Sequence, residues 1–201
     1  MRRLGGWLRG GACAITVLVL AGCTHKVSLE HIDKLQPGKT SADRALALFG
    51  EPYDTSRRTT PAGSYVHAEY QHVREGFAGH CMRRLQLEFL DGVLNGFLSA
   101  SSCEEQKTTA DVQGAVELGN QLGLAAKGDA RKRMGEPSGE LLCPTVLEPD
   151  ERPCDEGARE LWFWMTAPAP TPIGEEPEPL VAIRAAFDGD GLLIDIQSVE
   201  E

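Results

Sequence analysis

The sequence lacks the short motifs that mark the common enzyme classes. It has no G-x-S-x-G, no H-E-x-x-H, no phosphate-binding P-loop and no dinucleotide-binding glycine fingerprint. Paired carboxylates such as Glu104–Glu105 and Asp155–Glu156 fall in predicted loops, where solvated charge is the ordinary interpretation. The histidines are scattered, without metal-ligand spacing: His25, His31, His67, His72 and His80. We therefore expect no enzyme and no cofactor, unless folding gathers His67, His72 and His80 around a carboxylate.

A hydrophobic run long enough to cross a membrane is also missing. The apolar stretch 12–20 is too short, because a transmembrane helix needs about 20 residues. Basic residues are scarce as well, with 20 Lys and Arg against 30 Asp and Glu, a net charge of -10. A chain with this negative charge repels nucleic acid and anionic lipid surfaces. We therefore expect neither of them as a partner.

The first 22 residues have the organisation of an export signal. Three arginines precede the apolar run, and Leu20-Ala21-Gly22-Cys23 ends it. These four residues resemble the lipobox of bacterial lipoproteins, which implies cleavage after Gly22 and acylation of Cys23. Residues 1–22 are then a removed signal peptide and 23–27 a lipidated tether. An ordinary secretory signal that contains a cysteine by chance is the alternative.

Removal of the signal peptide makes the chain more acidic. Removing 1–22 takes away three of the 20 basic residues and none of the 30 acidic ones, so the net charge becomes -13. Thr24 follows the acylated cysteine where an inner-membrane lipoprotein usually has Asp, which implies the outer membrane, facing the periplasm. The remaining 179 residues suffice for one ordinary domain or two small ones.

Four cysteines remain once Cys13 leaves with the signal peptide and Cys23 is acylated. An exported chain meets an oxidising compartment, so Cys81, Cys103, Cys143 and Cys154 are interpreted as disulfides. Among the three possible pairings, Cys81–Cys103 and Cys143–Cys154 are favoured. A hairpin turning at Asp91-Gly92 brings the first pair within one residue of register, and the second pair closes a short Pro-rich loop. A zinc site is the alternative, but C-x-x-C and paired histidines are absent.

Two stretches of the chain match at a constant offset of 85 residues. Residues 38–52 and 123–137 share Gly, Ala, Gly, Glu and Pro at equivalent positions. Gly50 and Gly135 are suited to ending a helix, since the proline that follows cannot continue it. Thr40 is the predicted cap of the first such helix, with Ala45, Leu46, Leu48 and Phe49 as its buried side. Each copy has another helical candidate upstream, at 28–35 and 110–121.

Downstream of each helix pair the apolar period changes to two, as in β-strands. Strands are predicted at 65–71, 83–89 and 93–100 in the first copy, and at 161–165, 181–187 and 192–196 in the second. The expected fold is α+β, with two tandem helix-helix-antiparallel three-stranded-sheet repeats at 28–105 and 106–201. The copies join near 104–109, and a Pro-rich loop, 166–180, interrupts the second.

The residue pattern of the first copy resembles the SmpA/OmlA (BamE-like) outer-membrane lipoprotein family. The matching residues are Leu35, Gly38, Thr40, Gly50, Pro52, Phe89, Asp91 and Gly92. The resemblance covers 28–100 well and 110–199 in part. It implies a place in outer-membrane β-barrel protein assembly, although the family usually has one such unit. Two units in series also resemble the β-lactamase inhibitory proteins (BLIP-like), which carry disulfides.

Trp162 and Trp164 alternate with three apolar residues in 161–165. If Leu161, Phe163 and Met165 face the helices, the tryptophans lie on the opposite face of the sheet. They are then either anchors for a protein partner, because Trp concentrates at binding hot spots, or packed against the other sheet or the Pro-rich loop.

Together these features predict a non-catalytic envelope lipoprotein that binds other envelope proteins, in outer-membrane assembly or envelope integrity. The alternative is a lipid-anchored inhibitor of an extracytoplasmic hydrolase, dependent on Trp162 and Trp164.

Overall fold

A computed structural model describes residues 27–76, 79–103, 111–146, 154–166 and 181–200 of the protein. The predictions for the signal peptide, Cys23, the 104–109 junction and the Pro-rich loop after Thr166 lie outside these residues. Within the described ranges, no helix is both long enough and apolar enough to cross a membrane.

The described residues form four short helices and eight strands. The first half contains α1 (Leu29–Ile32), α2 (Ala42–Phe49), β1 (Asp54–Thr60), β2 (Gly63–Gly76), β3 (Gly79–Leu90) and β4 (Val93–Ser101). The second half contains α3 (Val112–Gly119), α4 (Lys127–Met134), β5 (Gly139–Leu142), β6 (Glu160–Thr166), β7 (Val181–Phe187) and β8 (Leu193–Glu200).

All eight strands belong to a single antiparallel sheet, in which each strand pairs with its neighbours in the chain, from β1 to β8. The expectation of two repeats, each with its own three-stranded sheet, is therefore wrong. Each half supplies four strands, and the two halves share one sheet through pairing of β4 with β5.

The two unpredicted strands, β1 and β5, give little periodic signal in the sequence. Six of the seven residues of β1 are exposed, so no apolar alternation marks the strand. β5 is four residues long, Gly-Glu-Leu-Leu, which is too short for a clear period. Each of these strands forms by pairing with a neighbouring strand that has a clearer apolar pattern. The sequence of the strand alone does not show this pairing.

Two glycines permit the junction of the halves. A Cβ at Gly96 would lie 2.6 Å from the Cα of Leu141, and one at Gly139 would lie 2.8 Å from the carbonyl oxygen of Phe97. Real side chains do not reach so close to a backbone, so β4 and β5 approach in a way that larger residues exclude. The continuous sheet depends on these two positions.

The helices lie on one side of the sheet, here called the helical face. In the first half, α1 and α2 pack on residues of β2, β3 and β4; the cluster includes Leu48, Phe49, Tyr70, Leu87 and Phe97. The other side is called the loop face, because the chain segments beside Cys143 and Cys154 pack on it. The sheet is thus buried on both sides over much of its second half.

The helix α2 begins one residue later than predicted. Ser41, not Thr40, is the N-cap of α2, and its hydroxyl accepts a hydrogen bond from the Arg44 amide at 3.2 Å. The Thr40 hydroxyl instead accepts from the Gln36 amide at 2.9 Å, which closes the preceding turn. Leu46, expected on the buried side of α2, is exposed.

Candidate functional site

Trp162 and Trp164 lie on the helical face, so the predicted assignment of faces is wrong. Their side chains are 1% and 2% exposed and pack with Ile183, Phe187 and Met134. Leu161, Phe163 and Met165 occupy the loop face instead. Burial, one of the two interpretations of this pair, is therefore what the structure shows, and neither residue serves as an accessible anchor. The two sets of side chains do alternate between the two faces of β6. Because both faces of this strand are buried, the sequence does not indicate which set faces the helices.

The tryptophans provide the surface on which α4 rests. The Trp164 indole N–H donates to the Gly135 carbonyl at 3.1 Å, just beyond the end of the helix. The Trp162 indole N–H donates to the Glu160 carboxylate. From α4, the Arg131 guanidinium lies 4.5 Å from the centre of the Trp162 ring, a distance suited to a cation–π contact.

Charged groups around Trp162 complete the attachment of α4. Lys127 forms an ion pair with Glu160, and its Nζ lies 5.8 Å from the Trp162 ring centre. Arg131 binds Glu140 and Glu136, each at 3.0 Å. Since α4 buries only Ala130 and Met134, these polar contacts supply much of what holds the helix to the sheet.

The environment of Glu140 is unfavourable for its charged form. Burial raises the pKa of this carboxyl, the neighbouring Glu160 raises it further, and Arg131 opposes both effects. Glu140 and Glu160 are each engaged by a cation. The arrangement resembles a structural ion-pair network more than an acid/base pair.

A buried carboxylate organises the loop face. Glu88 is fully buried, and its two oxygens accept hydrogen bonds from the Asn95 amide at 2.6 Å, the Thr145 hydroxyl at 2.8 Å and the Val146 amide at 2.9 Å. Asn95 also donates to the carbonyl oxygens of Leu142 and Pro144. These bonds fix the segment after β5, from the second half, onto strands of the first half.

Tyr65 adds a further contact to the same segment. Its hydroxyl donates to the Pro144 carbonyl at 3.0 Å, and burial, with help from Glu88 and Asp91, raises its pKa. The hydroxyl therefore stays protonated and available as a donor at neutral pH. Tyr65 itself is buried.

Both disulfides favoured in the sequence are present. The Cys81–Cys103 bridge joins the ends of β3 and β4, and Cys143–Cys154 closes the segment between β5 and β6. A β-bulge between Glu88 and Phe89 shifts the β3–β4 register by one residue. That shift is the one needed to bring Cys81 opposite Cys103.

A second bulge, between Ala186 and Phe187, changes the register of the last hairpin. Phe187 pairs with Leu193 and not with Leu192, so Leu193 and Ile196 face the helices while Ile194 packs on the loop face. Leu192, Ile194 and Ile196 therefore do not form the single apolar row that strict alternation over 192–196 would give.

The histidines do not gather into a site. His67 and His72 are an odd number of residues apart on β2, so their side chains project from opposite faces of the sheet. The side chain of His80 and all of His25 lie outside the described residues. Among the residues that are described, no three His, Cys, Asp or Glu side chains form a possible metal site.

The sequence did not single out the exposed apolar residues of α3 and the turn after it. Val116 is 64% exposed and Leu124 80%, and Val112 and Leu122 are also exposed. Val112 and Val116 are four residues apart and share one side of α3. This i,i+4 apolar spacing is visible in the sequence, within the helical candidate 110–121.

A cleft of about 350 Å³ lies between α3 and α4. It is lined by Leu118, Gln121, Asp129, Lys132 and Arg133. Arg133 forms an ion pair with Glu117 across the helix pair. Exposed apolar side chains next to a charged cleft are typical of a protein-binding surface, so this is the candidate functional site.

Comparison with known proteins yields little. No protein-family profile matches the chain, and no curated protein matches it in sequence. Among solved structures, a protein from Streptococcus mutans described as a candidate beta-lactamase inhibitor superposes with a TM-score of 0.47 at 11% identity, over 85% of this chain and 93% of that one. A likeness of that degree assigns neither a family nor a function. The resemblance to the SmpA/OmlA lipoproteins gains no support here and stays a hypothesis.

Proposed function

We propose that the protein is a lipid-anchored, non-catalytic component of the bacterial cell envelope that binds other envelope proteins. Its setting is the periplasmic side of the outer membrane, in the assembly of β-barrel proteins or the maintenance of the envelope. The observation that carries the proposal is the sequence Leu20-Ala21-Gly22-Cys23 directly after an apolar export segment.

The cysteine chemistry supports this location. The four cysteines of the described residues are all engaged in disulfides, which persist in oxidising compartments and are rare in reducing ones. The exposed apolar residues of α3 and its turn support a binding role, since exposed apolar patches mark protein interaction sites.

Quantitative affinity enrichment from crosslinked, solubilised membranes tests the proposal. The full-length protein is compared with Cys23→Ala and with an unrelated lipoprotein at equal abundance. We expect a defined set of envelope proteins to be enriched with the intact protein and lost with Cys23→Ala, because the variant is not anchored. Enrichment no greater than that of the unrelated lipoprotein would contradict the proposal.

Inhibition of an extracytoplasmic hydrolase is the second candidate, because disulfide-braced chains of this size suit secreted inhibitors. The inhibitor hypothesis drawn from the sequence depends on exposed tryptophans, but Trp162 and Trp164 are buried. A panel of β-lactamases and envelope proteases, assayed with the purified mature chain, separates the two. Stoichiometric inhibition of any of them would replace the first proposal by the second.

A further inference from the structure

The hairpin of β2 and β3 projects from one end of the sheet. The two strands stay paired as far as Gly76 and Gly79. The ladder between β2 and β1 ends at Glu69, and the ladder between β3 and β4 ends at Arg83. Because a strand rises about 3.4 Å per residue, the hairpin extends about 14 Å beyond Arg83. We call this part of the molecule the hairpin end.

Val27, the first described residue, is held at the base of the hairpin end. Its side chain is buried in the apolar cluster beneath α1 and α2. Its carbonyl oxygen accepts a hydrogen bond from the Arg83 guanidinium at 3.2 Å. The polypeptide therefore joins the sheet at the level of Arg83.

The length of chain before Val27 limits where an acylated Cys23 can lie. Val27 is the fourth residue after Cys23, so the two Cα atoms are at most about 14 Å apart, even in a fully extended chain. The opposite end of the sheet, at the Asp91-Gly92 turn, lies about 24 Å from Arg83 along β3. The hairpin end is therefore within the span of the tether, and the opposite end is beyond it.

Three exposed apolar side chains lie at the hairpin end. Val73 and Met82 face each other in the β2–β3 ladder, so their side chains are neighbours on one face of the sheet, and both are exposed. Tyr53 is 76% exposed, and its amide donates to the Glu69 carbonyl at 2.7 Å, where the β1 ladder ends. Tyrosine is enriched where proteins meet the membrane–water interface.

The helix α1 is also close enough to the tether to meet a membrane. Its surface is charged, because Glu30, Asp33 and Lys34 are all exposed. Moving charged side chains out of water is costly, whereas moving apolar side chains out of water is favourable. Of the two surfaces near the tether, the hairpin end is thus the one suited to contact lipid.

We infer that the hairpin end lies against the phospholipid bilayer that holds the acylated Cys23. Tyr53, Val73 and Met82 enter the boundary between the lipid headgroups and the acyl chains. This inference rests on the lipid anchor of the proposed function, and it gives the anchored protein a defined orientation on the membrane.

The contact depends on the anchor and on apolar side chains. Three side chains offer little area, but a short tether makes their contact with the bilayer intramolecular and raises its effective concentration. The net charge of -10 disfavours an anionic lipid surface, so zwitterionic phosphatidylcholine is the appropriate probe.

Fluorescence quenching by lipid tests the inference with the acylated protein. A fluorescent amino acid replaces Val73, Met82 or Val93 in the full-length protein, which is acylated in its own host and reconstituted into phosphatidylcholine vesicles carrying a nitroxide near the glycerol. Val93 is the matched control, an exposed apolar residue about 27 Å from Val73 along the strands. We expect about fivefold more quenching at Val73 and Met82 than at Val93, because only the first two positions enter the headgroup boundary.

A charge substitution supplies the second arm of the test. With the fluorescent residue at position 82, Val73→Asp should reduce quenching by about threefold, since a carboxylate resists leaving water. Val93→Asp should leave it unchanged. Quenching that is insensitive to Val73→Asp would overturn the inference. Quenching at Val73 and Met82 no greater than at Val93 would also overturn it, as when a protein partner or a second copy covers them.

The outcomes for the inference and for the proposed function can be told apart by mass spectrometry of the same samples. If Cys23 is acylated and the protein floats with the vesicles while Val73 and Met82 are not quenched, only the orientation is wrong. If Cys23 carries no lipid, the proposed lipid-anchored function and this inference are both wrong.

Discussion

Glu88 is the residue on which the contact between the two halves depends most. A buried carboxylate is costly unless its oxygens are satisfied, and here three donors supply that compensation. Because Thr145 and Val146 follow β5 while Glu88 belongs to β3, the same bonds hold the second half against the first.

Glu88→Gln is predicted to destabilise the protein by about 2–3 kcal/mol, because the amide NH2 would face donors at one of the two oxygen positions. Urea unfolding of the oxidised mature chain measures the change. Glu136→Gln is the matched control, since that side chain is exposed and should change stability by less than about 1 kcal/mol. Equal effects of the two substitutions would show that the Glu88 contacts are unimportant.

Glu140 makes the free energy of unfolding depend on pH. Its pKa is raised in the folded state above the ordinary value of 4.5, so the folded protein holds this proton more tightly than the unfolded chain does. The corresponding stability is present below about pH 4.5 and is lost as the pH rises through the raised pKa.

Glu140→Gln should therefore flatten the fall in unfolding free energy as the pH rises from the ordinary carboxyl range toward neutrality. Urea unfolding at a series of pH values measures this slope, with Glu156→Gln, at an exposed glutamate before β6, as the control. A slope that stays the same in Glu140→Gln would contradict the assignment of the raised pKa to this group.

At the scale of the element, α4 is held to the sheet chiefly by contacts other than apolar burial. It buries only Ala130 and Met134, and its remaining contacts to the sheet run through Lys127, Arg131 and the backbone at Gly135. The local sequence of α4 is unfavourable for a helix, since it contains Gly128 and has no side-chain cap at Ala126. Tertiary contacts supply the stability that local propensity lacks.

Arg131→Ala should loosen α4 at a cost of about 1–2 kcal/mol, because it removes a cation–π contact and a partly buried ion pair. After removal of residues 1–22, Trp162 and Trp164 are the only tryptophans, so fluorescence reports on this site alone. We expect a red shift of emission in Arg131→Ala and none in Lys132→Ala. An unshifted spectrum for Arg131→Ala would contradict the role given to Arg131.

Sequence patterns predicted some elements well, and the reasons for the failures are physical. β2 and β3 alternate between apolar and polar residues, and β6 and β7 are short apolar runs. The Asp91-Gly92 turn placed the Cys81–Cys103 pair almost in register. The single-residue offset came from a bulge, which depends on cross-strand packing at Glu88 and has no local signature. The sequence does not predict the exposure of Val112 and Val116, because an apolar helix face is ordinarily a buried one.

At the scale of the whole molecule, one sheet runs through both halves. The junction at β4 and β5, the Glu88 contacts and the Tyr65 hydrogen bond all cross from one half to the other. We therefore expect the halves to unfold together, in one cooperative transition.

Gly139→Ala should destabilise the entire chain by about 3 kcal/mol, since overpacking forces backbone shifts and the added Cβ meets the backbone of β4. Gly128→Ala is the matched control, because nothing lies within 4 Å of its Cβ position, and it should stabilise α4 by about 0.5–1 kcal/mol. Thermal unfolding followed by circular dichroism compares them. A Gly139→Ala protein as stable as the original would show that the junction tolerates a side chain.

The covalent state of the mature protein tests the central claim, a disulfide-braced sheet anchored outside the cytoplasm. The measurement is mass spectrometry of the protein isolated from the membranes of its own host, on the intact chain and on peptides cut without reduction. We predict an N-terminus at Cys23 carrying diacylglycerol, together with the Cys81–Cys103 and Cys143–Cys154 linkages. An unmodified Cys23 within an uncleaved chain, or four free thiols, would contradict it.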